Sequence, residues 1–86
     1  MIRAYYSKYN RRIGKKLREW RKANGYSQEH VSNQCMLKYG YQFSQALVSQ
    51  TECGRRSLSA VDFVILVSVL GIEPYEALQD LQSVLK

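Results

Sequence analysis

Apolar residues recur along this chain at helical spacing in five stretches, and turn-forming residues separate the stretches. In the first, Ile13, Leu17 and Trp20 stand at i, i+4 and i+7, which is one stripe of a helix. Basic residues fill its other faces, and Gly25 follows Asn24 as a natural C-cap. The second starts at Ser27, a good N-cap, with Gln28 and Glu29 in its first turn. Val31 and Cys35 lie four apart and are expected to face the core, and the helix ends before Gly40. The third is predicted to start at the N-cap Ser44 and end near Glu52, ahead of Cys53 and Gly54. The fourth starts at Ser59, with Asp62 three residues on in a capping-box arrangement. Val61, Ile65 and Val69 with Phe63, Leu66 and Leu70 make it apolar nearly all round, which predicts the buried centre of a bundle. The β-branched residues Val64, Ile65 and Val67 would also suit a strand, but the cap signals favour a helix. The fifth has Pro74 in its first turn and a stripe of Ala77/Leu78, Leu81 and Val84/Leu85. The expectation is an all-α bundle of five helices. It forms one domain over residues 1–86, with residues 1–10 as an N-terminal extension.

A chain of 86 residues supplies one compact core and no large substrate cleft. A hydrophobic fraction of 45% argues against disorder. The net charge of +6 is unevenly placed. Residues 1–24 carry nine Lys/Arg against Glu19, a net of +8, whereas residues 57–86 carry a net of −3. Such asymmetry fits a protein with one side toward a polyanion and the other toward protein. A solvated basic helix face would give the same count. Cys35 and Cys53 are not a close pair and His30 is the single histidine, so no zinc-ligand spacing is present and no cofactor is implied. Reduced thiols are the default. The start lacks the apolar core of a signal peptide, and the run from Phe63 to Val67 is far short of the ~20 residues of a membrane span. The expectation is a soluble, cytoplasmic protein. No nucleophile–base set, metal cluster or phosphate loop points to an enzyme.

The second and third segments are two short helices joined by a turn, followed by Gly54-Arg55-Arg56 and an apolar helix. An ordered set of short strings accompanies them. It runs from Ile13-Gly14-Lys15-Lys16-Leu17-Arg18 through Trp20-Arg21-Lys22 and Gly25-Tyr26-Ser27-Gln28-Glu29. It continues with Val48-Ser49-Gln50-Thr51-Glu52-Cys53-Gly54-Arg55-Arg56 and Leu70-Gly71-Ile72. From Ile13 to Leu78 the chain resembles the lambda-repressor-like (Xre/Cro) helix-turn-helix family. Between Gln28 and Glu52 it is longer than the usual repressor pattern. There Tyr39-Gly40-Tyr41-Gln42-Phe43-Ser44-Gln45 resembles the POU-specific branch of that fold, which has a longer second helix and turn.

The resemblance implies a function in which the helix starting at Ser44 enters the DNA major groove. Gln45, Ala46, Ser49 and Gln50 would then read base edges. A glutamine can bond adenine N6 and N7 together, and an alanine can touch a thymine methyl. Plain polar surface is the competing account of these residues. Phosphate contacts are expected from Ser27, Gln28, Lys38, Ser44, Arg55 and Arg56, with Arg11, Arg12 and Lys15 extending the track. For the arginines, simple surface charge competes. Arg21 and Glu52 are implied to form a structural salt bridge that fixes the recognition helix. Leu17, Trp20, Phe43 and Val48 are expected in the core and His30 on the surface. Tyr5, Tyr6 and Tyr9 are expected to pack on the protein's own helices.

The expected function is therefore sequence-specific binding of double-stranded operator DNA as a transcriptional regulator, as a repressor in the first place. A homodimer is expected, with residues 74–86 as its interface, because repressors of this type bind two half-sites. Two other readings stay open. One is an antitoxin that neutralises a toxin and autoregulates its operon. The other is a protein-binding adaptor that has lost DNA readout.

Overall fold

Four of the five helices begin at a residue whose side chain caps them. This is seen in a computed structural model that describes the backbone of residues 2–86 and side chains from Lys8 onward. Ser27 accepts from the His30 N–H, Ser44 from Leu47, Ser59 from Asp62 and Glu73 from Glu76. Each cap satisfies a backbone donor that the helix itself leaves unpaired. The Ser59–Asp62 capping box is complete in both directions. The helices are α1 (Ile2–Ala23), α2 (Gln28–Tyr39), α3 (Gln45–Glu52), α4 (Ala60–Val69) and α5 (Pro74–Leu81), followed by a 3-10 turn at Gln82–Leu85. Among the described residues there is no strand, and the protein is an all-α bundle.

α1 packs on α3 and on the C-terminal 3-10 turn, α2 on α3 and α4, and α4 on α5. One core joins them through Leu17, Val31, Cys35, Phe43, Val48, Leu66, Val67, Val69, Leu70 and Ala77. Trp20 is half-buried at its edge. The helix begins well before the first stripe residue, Ile13, so residues 2–10 continue α1 instead of forming a separate extension. Tyr9 is partly exposed, with Lys8 and Arg12 over its ring. The side chains of Arg3, Tyr5 and Tyr6 lie outside the described residues.

Two expectations about the C-terminal half are corrected. α4 is not buried all round: Asp62, Leu66, Val67, Val69 and Leu70 are covered, whereas Val61 and Val64 are exposed. The bundle covers only one side of α4, so the helical period divides its apolar residues into an inner and an outer stripe. The fifth helix ends at Leu81, and Val84 reaches the core from the 3-10 turn. Arg12 Nη1 donates to the Val84 carbonyl at 2.7 Å, which ties this turn to α1. Of the apolar stripe, Ala77, Leu81 and Val84 are buried, whereas Leu78 and Leu85 are exposed.

The crossing of α1 over α3 depends on two glycines. A Cβ at Gly14 would lie 2.3 Å from the Thr51 carbonyl oxygen and 2.6 Å from that of Glu52. Gly54 adopts φ +76°, and a Cβ there would meet the Arg11 backbone at 2.6 Å. A Gly14→Ala variant sets helix propensity against space. The gain from alanine is below about 1 kcal/mol, while forcing a methyl against fixed backbone costs about 1–3 kcal/mol. The expected result is a net loss of stability, measured as a lower urea midpoint with an unchanged slope.

Candidate nucleic-acid interface

The C-terminal end of α3 is fixed by a bidentate ion pair. Arg21 Nε donates to Glu52 Oε2 at 2.6 Å and Nη2 donates to Oε1 at 2.9 Å. Nη1 donates to the Tyr26 carbonyl at 2.7 Å. Gln28 Nε2 adds a bond to Glu52 Oε1 at 3.1 Å. The two charged side chains are 11% and 6% exposed, so the pair is largely dry. Hydrogen bonding to Glu52 raises the Arg21 guanidinium above its ordinary value against burial, which acts the other way. The node joins the end of α1, the α1–α2 loop, the start of α2 and the end of α3.

With that end held, α3 turns Val48 and Thr51 inward, and Thr51 Oγ1 donates back to the Leu47 carbonyl at 2.7 Å. Gln45, Ala46 and Gln50 are exposed and Ser49 is half-buried. They share one face, since they stand at i, i+1, i+4 and i+5. That face carries amide and hydroxyl groups and no charge. The single acid of α3, Glu52, is neutralised beneath it.

The residues expected at phosphates divide into two groups. Lys38 and Arg55 are exposed. The close approach at Gly54 brings the Arg11 backbone against the loop that carries Arg55. The Ser27 and Ser44 oxygens cap their helices and each hydroxyl keeps its proton to donate. Arg11 and Lys15 are exposed too, whereas Gln28, Arg12 and Arg56 have partners within the fold. The Gln28 amide nitrogen is bonded to Glu52, Arg12 to Val84, and Arg56 to Asp62 at 3.5 Å. Arg56 also lies 5.2 Å from the Phe43 ring centre, and its Nη1 is buried without a hydrogen-bond partner. The resemblance gave Arg56 to a phosphate; in the fold its guanidinium is half-buried between Asp62 and the Phe43 ring.

Asp62 is the centre of that second polar cluster, which the sequence reading missed. The Tyr41 hydroxyl donates to Oδ1, while the Ser59 N–H and Arg56 Nη2 donate to Oδ2 at 3.2 and 3.5 Å. Burial pushes the Asp62 carboxyl up, but the bonds from Tyr41 and Ser59 and the Arg56 charge overcome it and hold the carboxyl below its ordinary value. The capping box was the only sequence signal, and it is local to α4.

Among the described residues, no group of His, Cys, Asp and Glu is arranged to hold a metal ion, and no helix is long and apolar enough to cross a membrane. Cys35 is buried and Cys53 exposed, both unpaired. Comparison with known proteins finds no matching family model, no matching curated protein and no matching solved structure.

Two predictions follow from these clusters. Glu52→Ala strands Arg21 and Gln28 and is expected to cost about 3 kcal/mol or more in denaturant unfolding. The double change Arg21→Met with Glu52→Leu is expected to cost much less, because it removes both charges together. For Asp62, a depressed carboxyl stabilises the fold fully above its unfolded value of about 3.9 and loses that contribution as pH falls through the native value. Asp62→Asn is therefore expected to be less stable at neutral pH, with a flatter acid limb in a series of urea midpoints against pH.

Proposed function

We propose that this protein binds double-stranded DNA sequence-specifically as a transcriptional regulator, with α3 in the major groove. The observation that carries the reading is the α3 surface itself. A helix clamped at one end and packed along one side presents two glutamines, an alanine and a serine outward. Amides and hydroxyls without charge suit base edges, whose donors and acceptors are neutral. Affinity for the polyanion then comes from flanking cations, and Arg11, Lys38 and Arg55 are suitably exposed. The ordered resemblance to lambda-repressor-like regulators points the same way, and among them a repressor is the favoured role.

Homodimeric binding belongs to this reading. Tyr75, Leu78 and Leu85 of the C-terminal segment are exposed apolar residues available to a second copy, and Leu78 lines one cleft with Val64 of α4. The adaptor reading is favoured by one other feature, the exposed Met36, Leu37 and Tyr39 around the end of α2.

The test is selection of bound duplexes from a random-sequence pool at near-physiological salt. A palindromic consensus with half-sites about one helical turn apart is expected for a dimer. On that consensus, Gln45→Ala should weaken binding by about 1–3 kcal/mol and relax preference at one position without altering the salt dependence. Arg55→Ala should weaken all duplexes alike and reduce the salt slope by about one. Failure of the wild-type protein to enrich any sequence overturns the reading and favours the adaptor.

A further inference from the structure

The start of α3 is held in a different way from its end. The chain leaves α2 through Gly40, which is left-handed at φ +59°, and the Tyr41 N–H closes the helix on the Cys35 carbonyl at 3.2 Å. Among the described residues, Gln42 and Phe43 then make no backbone–backbone hydrogen bond before Ser44 opens α3. Within the turn, side chains supply the contacts of these residues. Phe43 is buried in the core, and the Tyr41 ring lies nearly parallel to it, 6.3 Å between centres. Arg56 lies over Phe43. The Tyr41 hydroxyl and Arg56 both end on Asp62, a buried carboxylate in the first turn of α4.

We infer that Tyr41 and Asp62 are positioning residues for the α3 surface: the strut between them fixes the turn on α4 and so sets where Gln45 and Ala46 stand. The inference rests on the DNA-reading proposal for its functional consequence, but its structural half does not. Core burial of Phe43 fixes how deep the turn sits. It leaves rotation about the Phe43 anchor open, and a rotation there swings the first turn of α3. The Tyr41–Asp62 bond is a second anchor, at the N-terminal end of the two unbonded residues, and restricts that freedom. The strut also makes α4, which presents none of the expected reading residues, a determinant of base preference.

The test uses the full chain with Tyr41→Phe, which keeps the ring and removes only the hydroxyl. Asp62 Oδ2 retains Ser59 and Arg56, so the carboxylate stays paired and the variant is expected to fold. Two measurements are made. The first is the ratio of affinities for the wild-type consensus and an unrelated duplex at one salt concentration. The second is amide exchange of the free protein. The ratio is expected to fall by about tenfold, the scale of one hydrogen bond to a charged group, with the salt slope unchanged. The Leu47 and Val48 amides, which are bonded to Ser44, are expected to exchange about tenfold faster, with those of residues 66–70 unaltered. Asp62→Asn keeps an acceptor for the Tyr41 hydroxyl and is expected to retain most of the ratio, whereas Asp62→Ala loses it. An unchanged ratio with unchanged exchange overturns the inference, as does exchange that accelerates equally in α3 and α4, which marks a loss of global stability only. If the wild type enriches no DNA, the reading of function falls and the exchange pattern alone decides the strut.

Discussion

The buried pair of Arg21 and Glu52 is the interaction on which the arrangement of the other elements depends. It is bidentate, nearly dry and supplemented by Gln28 and the Tyr26 carbonyl. Four segments meet there, so the pair fixes directions as well as distances. Its weight lies less in net stabilisation than in the cost of any alternative. Two charges withdrawn from water gain about what they lose, but one of them left alone is strongly unfavourable. Any packing of α1, α2 and α3 that separates the two residues is thereby excluded.

The glycines make that pair geometrically accessible. Gly14 lets α1 lie on the last turn of α3, at the carbonyls of Thr51 and Glu52, and Gly54 lets the chain leave α3 against Arg11. With larger residues there, α1 would stand off from α3 and the guanidinium would fall short of the carboxylate. The start of α3 has a corresponding device in Asp62, again a buried carboxylate that draws donors from separate elements, Tyr41 of the turn and Arg56 of the loop. A helix of eight residues is too short to be stable by itself. Here it is held at both ends and packed along its inner side, and its outer face is left to carry uncharged polar groups. On the proposed reading that division of labour is what base recognition needs, since readout groups must be presented without competing for the fold.

Much of the candidate site was legible in the sequence because its signals are local. Ser44 as a cap, Gln45, Ala46, Ser49 and Gln50 on one face, and Val48 on the other follow from helical spacing. Arg21 and Glu52 were paired through resemblance, and the two side chains do meet. The roles of Gln28, Arg12 and Arg56 were not legible. Their types fit a phosphate contact equally well, and only their neighbours in space show that each is bonded within the protein. The Tyr41–Asp62 bond spans 21 residues and has no periodic signature.

The sequence by itself determined the bounds of α2, α3 and α4, the end of α1, the start of α5 and that the protein is all-α, because caps, glycines and the helical period act within a few residues. Tertiary structure decided which apolar residues of α4 are covered, since Val61 and Leu66 are alike in character and differ only in what packs beside them. It decided the end of α5 too, where the bond from Arg12 to the Val84 carbonyl accompanies a tighter turn. It also decided which cations remain exposed. A guanidinium takes whichever acceptor the fold brings within reach, and that proximity is a property of the packed chain and not of its order of residues.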